Sequence, residues 1–120
     1  MALKKSQPSL KSNGHLERQY ARFNECYFSN ELPKDVLVGW DETLHPKFWG
    51  LTYAWANEDG SPVMFGIALN PKLKEVKEYK DIVLIHEMSH VKLFPNNTHN
   101  KKFQEEMVRL AIAGAFSKVW

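Results

Sequence analysis

From His15 onward, apolar residues recur at helical spacing. Leu16, Tyr20, Phe23 and Tyr27 stand four, three and four apart, with Phe28 beside the last. Glu17, Arg18, Gln19, Arg22 and Glu25 take the opposite positions, so the pattern predicts an amphipathic helix. Asn30 and Leu32-Pro33 end it, because a proline disfavours helical geometry in the residue before it. The pattern then shortens to three strands at 36–40, 49–55 and 63–69, rich in aromatic and β-branched residues. Residues 57–62 between the last two read as a hairpin loop. Gly66 inside the third strand marks a bulge or a close approach of its neighbours. Residues 72–80 interleave Lys and Glu as a solvated, partly helical lead-in. Residues 81–94 are apolar on most sides and predict a buried helix. After a turn at 95–98, a last helix runs from about Asn100 with Phe103, Met107, Leu110, Ala111 and Gly114 on its inner face.

The chain has 120 residues, the length of one domain, and can bury roughly two-thirds of its unfolded surface. Hydrophobic residues at 43% and charged residues at 25% match an ordinary globular composition and not a disordered one. A net charge of +2 is too small to imply nucleic-acid binding by bulk charge. What excess there is gathers at 1–14, where Lys4, Lys5 and Lys11 meet no acid; a mobile basic arm is expected there, ahead of a domain over 15–120. Cys26 is the sole cysteine, which excludes an intramolecular disulfide and a cysteine zinc ribbon and favours a reducing, cytoplasmic compartment. No apolar run reaches membrane-spanning length and the N-terminus lacks the core of a secretion signal, so no membrane partner is expected. The tryptophans alternate with small or polar residues on strands and read as core more than as platforms for bases.

Within the buried helix, His86-Glu87-Met88-Ser89-His90 fits H-E-x-x-H. Residues four apart on a helix lie one turn above each other, so both imidazoles can grip one metal ion. Glu87 sits about 100° further round from His86, placed to hydrogen-bond an attacking water without ligating the metal. A solvent-facing polar patch is the plainer reading, but Ile82, Val83, Leu84, Ile85, Val91 and Leu93 flank the motif. Two histidines and a glutamate in that setting would be costly without a task. Catalytic zinc takes three protein ligands. His99, nine residues past His90 and beyond a turn, is the preferred third; Glu105 and Glu106 are carboxylate alternatives. Metzincin spacing would put that ligand at Asn96, which excludes the class. Tyr53, Tyr79, His15 and His45 are all candidates to stabilise an oxyanion, with nothing to choose among them.

Several of these motifs carry a family resemblance. Leu16-x3-Tyr20-x3-Asn24-x2-Tyr27-Phe28 followed by Glu31-Leu32-Pro33 resembles the opening helix and loop of the SprT-like, Spartan-related family. Trp40, Gly50-Leu51-Thr52 and 67–71 (IALNP) resemble its strand signatures in the same order, and the H-E-x-x-H followed by His99-x3-Phe103 resembles its zinc site. The likeness spans about residues 15–115; Asn100 stands where the family has glycine. It implies a zinc metallopeptidase with His86, His90 and His99 on zinc and Glu87 as catalytic base. It also implies protein substrates bound or crosslinked to DNA, with single-stranded DNA as activator.

The expectation is therefore a monomeric α+β, zincin-like domain. Its N-terminal helix packs behind a small, mostly antiparallel three-stranded sheet, and the H-E-x-x-H and C-terminal helices close the other side. An extended substrate would pair with an exposed sheet edge. Two rivals stand beside it: a zinc-stabilised module that binds DNA or protein without cleaving, and a processing peptidase with one dedicated target.

Overall fold

The computed structural model describes residues 10–56, 63–96 and 98–116, together with the backbone of residues 3 and 4. The element order is β1 (Leu3–Lys4), α1 (Gly14–Tyr27), β2 (Val36–Trp40), β3 (Gly50–Trp55), β4 (Met64–Leu69), a 3-10 turn (Pro71–Glu75), α2 (Lys77–Leu93) and α3 (Lys101–Ile112). The class is α+β. Among the described residues no helix is long and apolar enough to cross a membrane.

α1 and α3 each begin at an asparagine whose side chain caps the helix, whereas α2 follows Val76 with no side-chain cap. Asn13 Oδ1 accepts the Leu16 N–H at 3.1 Å at the head of α1, and Asn100 Oδ1 accepts that of Phe103 at 3.3 Å at the head of α3. Past the end of α1, Ser29 and Asn30 take left-handed φ angles of 54° and 58°. The buried Asn24 amide then holds Leu32 at both its N–H and C=O, each at 3.1 Å, and the Tyr20 hydroxyl donates to Pro33 O at 2.7 Å. These bonds turn the chain back into β2.

The sheet order is β1-β3-β4-β2, and the sheet is mixed instead of mostly antiparallel. β3 and β4 pair antiparallel, whereas β2 and β4 run parallel with Val36 opposite Phe65 and Trp40 opposite Leu69. The nine-residue stretch 41–49 is long enough to carry the chain past the β4 position, so the hairpin folds back with β4 in the middle. That place accounts for its near-continuous burial from Phe65 to Leu69. Gly66 keeps an unbroken register; its lack of a side chain admits Trp55, whose ring lies 3.3 Å from where a Cβ would be. The expected hairpin loop at 57–62 lies outside the described residues.

The N-terminal residues also differ from expectation. β1 pairs in parallel with Ala54 and Trp55, Leu10 is buried, and the Asn13 N–H donates to Val38 O at 2.9 Å. At these positions the arm expected to be mobile is tied to the sheet. Leu10 and Lys11 lie over the face bearing Gly39 and Gly66; a Cβ on Gly39 would stand 2.0 Å from Lys11 O.

All three helices share the opposite face, so α1 is not alone behind the sheet. Leu16 and Tyr20 of α1 join Val36, Val38, Phe65, Ile67 and Leu69 of the sheet and Leu84, Ile85 and Met88 of α2 in one core. Lys80, in the stretch expected to be a solvated lead-in, is buried between Asp81 and Gln19 of α1. Further along, Arg109 of α3 donates to Tyr27 O at 2.8 Å. α2 thus starts earlier than its apolar run, at Lys77. Burying Leu84, Ile85, Met88 and Val91 contributes about 1.5–3 kcal/mol each, enough to offset the cost of holding polar groups on the same helix.

Candidate metal centre and active-site cleft

His86 and His90 stand one turn apart on α2, and the chain reversal after Leu93 brings His99 across to them. The three ring centroids form a triangle with every side 5.1 Å. One nitrogen from each ring lies within 4.8 Å of the other two, so the group could hold a metal ion. His90 Nε2 and His99 Nε2 are 3.2 Å apart. Two nitrogens about 2.0–2.1 Å from one ion at a tetrahedral angle would be roughly 3.3–3.4 Å apart, so the spacing fits shared coordination. His90 Nδ1 is buried without a partner among the described residues, which leaves Nε2 as the polar outlet of that ring. The donor set therefore fits a metal.

Phe103, one turn into α3, backs the triangle, with its ring 4.9 Å from His86 and 4.7 Å from both His90 and His99. Burial, reinforced by neighbouring imidazoles, lowers the pKa of His86 and of His90 to about 4. Both rings are therefore neutral near pH 7, the form that ligates.

Glu87 is buried beside this group, its Oε2 3.9 Å from His86 Nε2. Burial raises its carboxyl to about 7, against a hydrogen bond from Thr52 that favours the charged form. Thr52 Oγ1 donates to Glu87 Oε1 at 2.8 Å and lies 3.1 Å from Glu87 O. A carboxyl poised near neutrality suits proton transfer in both directions. Gly50 lets the strand come this close: a Cβ there would lie 2.9 Å from Val83 Cγ1, 3.0 Å from Glu87 Cγ and 3.2 Å from Glu87 Oε2.

The carboxylate alternatives do not join the three-histidine group. Glu106 is buried against Lys92 at 2.8 Å and takes a two-pronged contact from Arg109, at 2.8 and 2.7 Å. Glu105 is exposed, 4.0 Å from Lys101. A cleft of about 450 Å³ opens over the histidines and Glu87, walled by Lys47, Phe48, Trp49 and the start of β3. Tyr53, Tyr79, His15 and His45 do not line it. His45 instead accepts the Lys47 N–H at 3.2 Å within its own loop.

Three contributors were not assigned their roles from sequence: Thr52, Gly50 and Phe103. The signals present were a Gly two residues before a Thr on a strand and an aromatic four residues after His99. Neither says which helix the strand will face. Compared with known proteins, the chain matches no family model, no curated protein and no solved structure. The fold and site alone define it as an α+β protein with a three-histidine group able to hold a metal ion beside a buried glutamate.

Proposed function

We propose that this chain is a zinc-dependent metalloendopeptidase with a zincin-like, SprT-like domain, hydrolysing peptide bonds of protein substrates. The supporting observation is the convergence of His86, His90 and His99 with Glu87 in one cleft. Three imidazoles suit zinc, and the glutamate beside them has no place in a purely structural site. When bound there, zinc supplies Lewis acidity, polarising a peptide carbonyl and acidifying water towards ~7. The chain's own residues do the rest. Glu87 accepts a proton from the attacking water and returns it to the leaving amine. Thr52 holds Oε1 of that carboxylate, so Oε2 is the oxygen left for the transfer. β1 covers β3 only at Ala54 and Trp55, so Gly50–Tyr53 has no second strand partner among the described residues. A substrate backbone can pair along this edge, past the mouth of the cleft.

The SprT-like likeness names DNA-bound or DNA-crosslinked proteins as the substrate class, with single-stranded DNA as activator. The test is cleavage of a DNA-binding protein by the zinc-loaded chain, with and without single-stranded DNA, using Glu87→Gln as the blank. Cleavage by the wild type alone is expected, and dependence on DNA would assign the activator. No cleavage in either condition would overturn the peptidase reading in favour of a zinc-stabilised binding module. Full activity in Glu87→Gln would remove Glu87 from the mechanism.

A further inference from the structure

A second hollow of about 430 Å³ adjoins the cleft, lined by Trp49, Leu73, Val76, Tyr79 and Val83. None of these side chains is charged. Leu73 is buried, while Trp49 and Tyr79 are 53% and 55% exposed. Trp49 and Val83 also wall the cleft, so the two hollows are neighbours.

The spacing relates this hollow to the metal group. Tyr79, Val83, His86 and His90 follow one another at four, three and four residues along one stripe of α2. By helix rise, Val83 lies roughly 4–5 Å and Tyr79 roughly 10 Å along the axis from His86. An extended peptide advances about 3.3 Å per residue, so the hollow stands one to three residues from a bond held at the histidines. Trp49 immediately precedes the open edge of β3. A polypeptide paired along Gly50–Tyr53 passes the hollow's mouth, and alternate side chains of a strand point to the same side.

We propose that this hollow is a specificity pocket that seats a bulky apolar or aromatic side chain of the substrate polypeptide, one to three residues from the cleaved bond. The assignment rests on the peptidase reading above. A charged side chain is disfavoured there because the lining has no group to pair with it.

Two measurements test the pocket. The zinc-loaded wild type is given a peptide library and its cleavage sites are sequenced. One fixed position should be enriched in Phe, Leu, Met or Trp, and Phe in place of Ala there should raise kcat/KM about tenfold to a hundredfold. Trp49→Ala and Tyr79→Ala, both at exposed positions, should bring that ratio towards unity. Separately, zinc-loaded Glu87→Gln is titrated with a Phe-bearing peptide and its Ala counterpart. Only the former should shift the Trp49 indole and the Val76 and Val83 methyl resonances. Cleavage with a flat profile and no such shifts overturns the pocket and leaves the peptidase standing. Shifts without wild-type cleavage overturn the peptidase and keep the pocket as a site for apolar segments; neither result overturns both.

Discussion

Replacing Gly50 by Ala tests how closely β3 must approach the helix that bears the site. The added methyl would meet Val83 Cγ1 at 2.9 Å, Glu87 Cγ at 3.0 Å and Glu87 Oε2 at 3.2 Å. Val83 is branched at Cβ and stiff, and Glu87 is held by Thr52, so neither can swing aside freely. Overpacking of this kind costs about 1–3 kcal/mol, while Ala recovers about 0.4–1 kcal/mol by restricting the unfolded chain. A net loss of about 1–2 kcal/mol is expected, a fall in Tm of about 3–10 °C for a domain this size. Gly66→Ala is the control. Its nearest neighbours are a Trp55 ring atom at 3.3 Å and a Leu10 methyl at 3.6 Å, so it should lose less. Zinc content of Gly50→Ala should stay at the wild-type level because no imidazole is touched, while turnover drops as Glu87 moves. Thermal melts, metal analysis and peptide cleavage on both variants make the comparison. A Gly50→Ala protein as stable and active as wild type would refute the tight contact between β3 and α2.

His99→Ala should lower zinc affinity by at least the tenfold to hundredfold that loss of an outer partner causes, whereas Glu105→Gln should leave it unchanged; competition against a chelator reads both. Thr52→Val removes a hydrogen bond to a charged acceptor worth about 1.5–3 kcal/mol, so the Glu87 carboxyl of the metal-free protein should titrate about one to two units higher. A carbon NMR titration checks this, and an unmoved Glu87 would mean that Thr52 does not tune it. Acid stability should fall in two windows. Metal-free protein loses stability first as pH drops from ~6.5, where unfolded histidines take up protons, towards about 4, where His86 and His90 do so in the fold. Burial pushes the Glu106 carboxyl up, but hydrogen bonds from Arg109 and Lys92 outweigh it and hold the group below its ordinary value. Its contribution is present above ~4.3 and lost as pH falls through that lower value. Chemical denaturation from pH 7 to 3 should show this second step in wild type and not in Glu106→Gln.

Much of the architecture was legible because its signals are local. Periodicity at Leu16, Tyr20, Phe23 and Tyr27, the last helix beginning near Asn100, and the strand at Val36–Trp40 depend on neighbours within a turn or a few residues. The pairing of His86 with His90 follows from helix geometry alone. What was misjudged depends on contacts between distant segments. Parallel pairing of β2 with β4, the placing of all helices on one face and the tethering of residues 3–4 and 10–13 each involve partners that no local pattern specifies. Lys80 shows the same limit: in sequence it belongs to a charged run, and only the docking of α1 encloses it.

Residue types and their spacing set the chemistry on offer: two imidazoles and a carboxylate on one helix, a third imidazole beyond a turn, and apolar flanks to hold them. These follow from residue type and from rise and rotation along a helix. It took packing between distant elements to bring His99 to the other two and to set Phe103 behind all three. The same packing lets Gly50 and Thr52 bring β3 onto Glu87. Those relations are set by how separate elements pack. The energy that sets them is spread over the whole core and has no signature at any single position in the chain.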